Sequence, residues 1–395
     1  MDQAHRVAAA LPREVGAVLL SSGRSTILAA APEEVVEASG PDALKALVGL
    51  APGWWAGFLS YDLGRATEPF PTLNPPDPIL PDLLLARFGA RLEMRPGHGP
   101  SPAGGGAGLA ILRDALSSAV APGAHRPLTG WETSMTREAW EAAVRTIHDH
   151  LRAGDCYQVN LTRRLTCPMT TDGVALSAAL ARANPAPHAA WVRLGEVEVV
   201  SASPESYLRG DGSTIETRPI KGTAADPELL ARSLKDRAEN VMIVDLARND
   251  LGRVCVPGTV TVPSLMQVEA HPGLYHLVST VRGRLRDGAT VAEIVRATFP
   301  PASVTGCPKP AVLSIIEQLE PVRRGVYCGA VGWIDTRTRA MDLNVAIRTF
   351  TMAGGVTSFG VGGGIVADSD PGEEWAETEL KAGRLLAVAA GQTSR

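Results

Sequence analysis

Apolar residues recur at helical spacing after Thr136: Trp140, Ala143, Val144, Ile147 and Leu151 share one face until Gly154. This predicts a helix capped by Thr136. The pattern then switches to a period of two, with Tyr157, Val159 and Leu161 alternating, which predicts a strand over 156–165. Similar runs predict strands at 190–194, 197–202, 206–209 and 214–218, and again at 254–261, 275–281, 326–334, 341–350 and 356–361. Asp226-Pro227 reads as a cap with proline in the first turn of a helix over 228–249. Asp370 and Glu373 have capping-box spacing around Pro371, so a last helix is expected over about 372–390. Strands and helices do not alternate regularly. The expected class is therefore α+β, with large antiparallel sheets flanked by helices, rather than a doubly wound fold.

Composition sharpens this picture in three places. PGHGPSPAGGGAG (96–108) and APGAHRPLTG (121–130) are rich in proline and glycine and flank one short helical run. They divide the chain into an amino-terminal domain over 1–125 and a second domain over 131–395. The net charge of −4 argues against a nucleic-acid partner, which needs a basic face. No apolar run is long enough for a membrane span, and the start is a poor signal peptide, broken by Pro12, Arg13 and Glu14. The five cysteines have no CxxC spacing, so a disulfide framework or a thiolate metal site is not expected and a cytoplasmic setting fits.

Two carboxylate pairs lie three residues apart on predicted helices: Asp236 with Glu239, and Glu374 with Glu377. Each pair shares a helix face, and facing pairs could hold a hard divalent cation through oxygen. Alone, each also reads as a solvated acidic face. Lys221 lies in RPIKGT, in a turn constrained by Pro219 and Gly222. An amine among apolar neighbours can lose its proton and become a nucleophile, although an unassigned lysine is ordinarily a surface group. Glu205 in SASPE stands at a strand end, where burial would make it a general acid. His276 falls in a predicted strand, where a lone histidine is more often structural than catalytic. Arg348 sits among apolar neighbours and wants an anion. The run Gly362, Gly363, Gly364 offers backbone amides to a carboxylate.

Taken in order, these segments resemble the chorismate-utilising enzyme family. The matching stretches are GDCYQVNLT (154–162), SASPE (201–205), RPIKGT (218–223), AENVMIVDLARNDLGRV (238–254), HLVSTVRG (276–283), FPPASVTGCPK (299–309), RRGVYCGAVGWID (323–335), AIRTF (346–350) and GGGIVADSDPGEEWAET (362–378). In the amino-terminal part, GFLSYDLGRATEPFP (57–71) is also similar. One position discriminates within the family. Members that make anthranilate carry alanine in PIAGT, whereas those that make 4-amino-4-deoxychorismate carry PIKGT, as here.

The resemblance implies a chorismate site with Lys221 as nucleophile and Glu205 as general acid. It implies Mg²⁺ held directly by Glu239 and Glu377, with Asp236 and Glu374 holding its waters. Arg348, Tyr327 and the amides at Gly362, Gly363 and Gly364 would take the enolpyruvyl carboxylate, with Ser303 and His276 near the ring. Asp236 replaces a more usual glutamate, GCPKP replaces a common GAPK, and Ser21 stands where relatives place an acid in a tryptophan pocket. No Cys–His–Glu constellation of an amidotransferase is evident. Ammonia is therefore expected from a separate glutamine amidotransferase subunit or from solution.

Overall fold

A computed structural model describes residues 2–23, 25–224, 226–271 and 274–392. Two antiparallel sheets, of eleven and ten strands, carry the chain. Each is built from both halves of the sequence. In the first sheet, strands Gln158–Cys167, Val356–Ile365, Thr349–Ala353, Val197–Ser203 and His188–Leu194 run side by side into Ala17–Ser21 and Thr26–Ala30. In the second, Ile220–Ala224, Leu274–Arg284, Thr214–Arg218, Ser206–Asp211, Ala340–Val345 and Ala330–Asp335 continue into Trp54–Leu59 and Leu83–Arg87. The proline- and glycine-rich stretches near residue 125 thus do not separate two sheets. The expected class, helices flanking large antiparallel sheets, is what the chain adopts.

Strand Trp54–Leu59 shows how the layers meet. All six residues are buried. Successive side chains point to opposite faces, so Trp54, Ala56 and Phe58 enter a core with Val18, Leu20, Val192 and Val199 of the other sheet. Trp55 and Leu59 enter a second core with Val295, Phe299 and Leu313 of the covering helices. The two sheets therefore face each other, and helices seal their outer sides.

Local chemistry sets most element ends. Thr136 accepts a hydrogen bond from the Ala139 amide, and the helix Arg137–Ala153 stops at Gly154 in the left-handed region, φ +81°. Asp370 caps the helix Pro371–Ala389 through the amides of Gly372 and Glu373.

Four expectations need correction. The strand expected over 326–334 is Ala330–Asp335, because residues 325–328 form a turn in which Cys328 takes φ +66°. The single helix over 228–249 is two, Pro227–Arg232 and Leu234–Gly252, because extended Ser233 breaks the first and caps the second at the Asp236 amide. The strand expected over 254–261 is a turn built on Pro257 and Gly258, and pairing resumes at Thr261–His271. The run 341–350 is interrupted between Val345 and Thr349, where Arg348 takes φ +53°.

Buried ion pairs fix the loops that reach the junction of the sheets. Lys309 Nζ donates to Asp250 Oδ2 at 2.6 Å and to the Thr298 carbonyl at 2.9 Å, tying segment 298–309 to helix Leu234–Gly252. Removing one partner of such a pair leaves a charge uncompensated, at a cost of about 3–5 kcal/mol. Because Arg253 still donates to Asp250 Oδ1 at 3.0 Å, Lys309→Met should lose somewhat less stability than that in urea unfolding, and adding Asp250→Asn to the same chain should recover part of it.

Candidate functional site

The site lies where an edge strand of one sheet crosses a glycine-rich strand of the other. In Val356–Ile365, Gly360, Gly362 and Gly364 alternate onto one face. A Cβ at Gly360 would fall 2.2 Å from the Tyr327 ring. One at Gly364 would fall 2.0 Å from Gln158 Nε2 and 3.6 Å from Lys221 Nζ. At about 3.3 Å per residue, Tyr327 and Lys221 stand roughly 13 Å apart along this face. The glycine run is thus strand, not loop. On its opposite face Gly363 lies under Glu374 and Lys381, and Lys381 Nζ donates to the Gly362 carbonyl at 3.1 Å.

Lys221 sits within strand Ile220–Ala224 rather than in a turn, and only 11% of its side chain is exposed. The surface-lysine alternative is therefore excluded. Its Nζ donates to the Ser303 carbonyl at 3.1 Å and lies 3.9 Å from Glu239 Oε2. Burial pulls the ammonium below its ordinary range, and Glu239 and Glu205 oppose that pull.

Glu205 is buried beside it. The Ile220 amide donates to Oε1 at 3.4 Å, and the Ser203 hydroxyl accepts from the Glu205 amide at 3.2 Å. Burial pushes this carboxyl up to about 7, with Ser303 and Lys221 offsetting part of the shift. Behind it a cleft bounded by Glu205, Ser303, Tyr207 and Asp250 runs under segment 298–303.

The four helix carboxylates gather around three lysines. Glu239 faces Lys221, Lys235, Asp236 and Glu374, and burial raises its carboxyl. Lys235 Nζ lies 3.5 Å from Glu374 Oε1, which also accepts from the Ser369 hydroxyl at 2.6 Å. Burial pushes Glu377 up, but Lys381 outweighs it and holds the carboxyl below its usual range. Among the described residues no group of three carboxylates converges as a metal cluster; lysines neutralise Glu239, Glu374 and Glu377 instead. The donor chemistry fits a hard cation nonetheless: four carboxylates, all oxygen, on two facing helix ends.

At the other end, Tyr327 lines a cleft with Thr162, Arg324, Thr349 and Gly360. Arg348, next to Thr349, is half-buried, and among the described residues no carboxylate pairs with its guanidinium. Burial lowers its pKa, and Arg384 adds to the effect. His276 is buried in Leu274–Arg284 and in register with Thr223 and Glu269, one strand over from Lys221's own.

Lys221, Glu205, Ser303, Glu239 and Gly364 thus meet at one point, while Tyr327 lies further along the glycine face. Three neighbours escaped the sequence reading: Gln158, Lys235 and Lys381. Gln158 is 1% exposed, and its Nε2 donates to Glu239 Oε2 at 3.2 Å. A buried polar run on one strand face, Gln158, Asn160 and Thr162, was its available signal. Lys381 stands four residues after Glu377, the spacing of a helical ion pair.

Residues 19–387 match the family model described as chorismate binding enzyme. Aminodeoxychorismate synthase component 1 of Escherichia coli is 40% identical over 342 residues, covering 84% of this chain and 75% of that protein. Anthranilate synthase component 1 of Thermus thermophilus is also 40% identical, over 358 residues, covering 85% and 77%. Among solved structures, anthranilate synthase component I from Streptococcus pneumoniae superposes with a TM-score of 0.80 at 28% identity, covering 92% of each chain. The menaquinone-specific isochorismate synthase of Escherichia coli shares the fold, with a TM-score of 0.76 at 19% identity over 97% of this chain and 91% of that one. With a family match spanning nearly its whole length, the chain belongs to the chorismate-binding enzymes and is a chorismate-utilising enzyme.

Proposed function

We propose that this enzyme replaces the C4 hydroxyl of chorismate by an amino group, making 4-amino-4-deoxychorismate through a covalent bond to Lys221. The observation that carries the reading is the buried Lys221 amine, beside a carboxyl of raised pKa and over a glycine that leaves room for a ring. Similarity to aminodeoxychorismate synthase component 1 supports it. The product would feed p-aminobenzoate and folate synthesis in the cytoplasm. No helix among the described residues is long and apolar enough to cross a membrane.

The chemistry follows from the residues. Glu205, protonated near neutrality, donates to the departing C4 oxygen, which leaves as water. Lys221 Nζ bonds to C2, both ring double bonds shift by one position (C1=C2 to C1=C6 and C5=C6 to C4=C5), and the C4–O bond breaks; the second displacement reverses both shifts. The nitrogen's surplus proton returns to the Glu205 carboxylate. Ammonia then bonds to C4, the C2–Nζ bond breaks, and a proton from the new ammonium goes back to the lysine. Chorismate plus ammonia gives the 4-amino product plus water. Arg348 and Tyr327 would orient the enolpyruvyl carboxylate with the amides of Gly362, Gly363 and Gly364, and Ser303 and His276 would border the ring.

Glu239 and Glu377 would hold Mg²⁺ directly, with Asp236 and Glu374 taking its waters. Bound there, the cation supplies charge neutralisation of the ring carboxylate and withdrawal of electron density from the ring. Lys235 and Lys381 keep the same carboxylates compensated without it. The ammonia would come from a glutamine amidotransferase subunit, the partner that the component 1 names of the relatives imply, or from solution.

The competing reading is anthranilate formation, favoured by the equally similar Thermus thermophilus relative. Purified enzyme with chorismate, Mg²⁺ and an ammonium salt separates the two by product. The 4-amino compound is expected, and anthranilate would overturn the proposal. Lys221→Ala should lose or divert this para amination; unaltered output of the 4-amino product would count against the lysine intermediate.

A pH profile tests Glu205. Its value of about 7 lies above an ordinary carboxyl, so the proton it must donate is present below that pH and lost above it. The rate should fall as pH rises through about 7. Glu205→Gln should cost on the order of 10²- to 10⁴-fold in kcat and remove that limb; a retained limb would assign it to another group.

Glu377→Gln should weaken the Mg²⁺ dependence. Identical metal titrations for variant and parent would take this residue out of the site.

A further inference from the structure

An attacking amine has two N–H bonds and one lone pair. Its reactivity depends on where the two hydrogens are held, because they fix where the lone pair points. Lys221 Nζ has one obvious acceptor, the Ser303 carbonyl at 3.1 Å. Glu239 Oε2 is 3.9 Å away, beyond hydrogen-bond reach, and in the proposed function it is committed to Mg²⁺.

A second polar side chain stands near it, with its Nε2 rather than its Oε1 turned toward the shared point above Gly364. Gln158 is buried, and its Nε2 is used by Glu239 Oε2, the same oxygen that Lys221 approaches. Its Oε1 is buried without any hydrogen-bond partner. Buried carboxamide oxygens seldom stay unpaired, because desolvating a polar atom without a compensating hydrogen bond is unfavourable. Gln158 Nε2 and Lys221 Nζ also flank one point above Gly364, where a Cβ would collide with the first and touch the second. Strand Gly306–Cys307 pairs with Gln158 and Val159 and holds this part of the strand against the loop carrying Ser303.

We infer that Gln158 is the positioning residue of the nucleophile: when substrate arrives and Glu239 is engaged elsewhere, its carboxamide turns from the Nε2–Glu239 contact and Oε1 accepts the second N–H of Lys221. The Ser303 carbonyl and the Gln158 carboxamide then hold both hydrogens, and the lone pair is left facing the ring. A carboxamide suits this task because it accepts a hydrogen bond without adding a negative charge that would retain a proton on the lysine. The step served is formation of the Nζ–C2 bond as the C4–O bond breaks, with the Glu205 proton leaving on the oxygen as water. The inference rests on the lysine intermediate proposed above.

The test uses the full chain with chorismate and Mg²⁺ but no ammonia, and follows the covalent adduct by rapid quench and intact-protein mass spectrometry. Gln158→Met keeps the length of the side chain and removes the acceptor; Gln158→Leu is a second variant should the first be unstable. Either should slow adduct formation at saturating chorismate on the order of 10- to 100-fold. The chorismate KM should stay within about twofold of the parent; because the same substitutions also remove the Nε2 bond to Glu239, adduct rates are compared at saturating Mg²⁺.

Three results would overturn the inference. One is a normal adduct rate in both variants. Another is a slow rate restored by excess Mg²⁺, which would make Gln158 a support for Glu239. The third is a normal adduct with a raised KM for ammonia. Failure of the parent itself to form an adduct would instead remove the lysine intermediate, and this inference with it.

Discussion

The site depends on one strand having no side chains on one face from Gly360 to Gly364. Gly360, Gly362 and Gly364 let the second sheet bring its edge to the first without filling the gap between them. Any Cβ on Gly360 would strike Tyr327, and one on Gly364 would strike Gln158. The constraint acts by shape, not by backbone freedom, since none of the three adopts a left-handed φ. What it creates is a slot with an amine at one end and a phenol at the other, floored by backbone amides. Everything that gives the slot its chemistry stands on elements far apart in sequence. Gln158 comes from strand Gln158–Cys167, Glu205 and Lys221 from the middle of the chain, and Glu374 and Glu377 from the last helix.

A slot of this kind needs a rigid frame, and buried ion pairs supply it. Arg324 meets Glu320 through two hydrogen bonds, of 2.6 and 2.9 Å. The same guanidinium donates to the carbonyls of Val304 and Asn160, and Glu320 accepts from the Thr162 amide. One pair thus ties the loop beside Ser303, the strand carrying Gln158 and the segment leading to Tyr327. The amino-terminal part joins the same network. Tyr61 donates to the Thr305 hydroxyl, and Asp62 accepts from the Gly325 amide. Burial and the neighbouring Asp82 push Asp62 up to about 6. The chain ahead of residue 125 therefore supports the loops around the site as well as completing both sheets.

Periodicity carried the fold, and it failed where a single residue overrode a run. Thr136, Gly154 and the apolar stripe between them were readable because capping and helical spacing are local. Ser233 and Arg348 were not. Each interrupts an otherwise continuous pattern through its own backbone conformation, which neighbouring residues do not announce. Tyr157 fitted the alternation of its strand yet is 69% exposed, because pairing begins only at Gln158. At the site, Lys221 and Glu205 were legible through the motifs they occupy, whereas their burial was not. It arises from Ser303, Glu239 and Gly364, which only the meeting of two sheets brings near. Gln158 carried no recognisable motif of its own. A neutral amide gives no charge pattern, and its importance is visible only once its oxygen is seen without a partner.

Burying a lysine is costly, and the way this chain meets the cost bears on what the lysine is for. A structural ammonium would be expected to sit against a carboxylate at hydrogen-bonding distance, as Lys309 does with Asp250 at 2.6 Å. Lys221 has comparable burial but no such contact: its direct hydrogen bond is to a carbonyl, and its carboxylate neighbour stands back at 3.9 Å. A carbonyl serves a neutral amine as well as a charged one, so this arrangement does not insist on the proton. Within one protein, then, two buried lysines differ in their contacts, one bonded directly to a carboxylate and one to a carbonyl with its carboxylate held back. The second is the arrangement that suits a group required to form and break a bond to carbon.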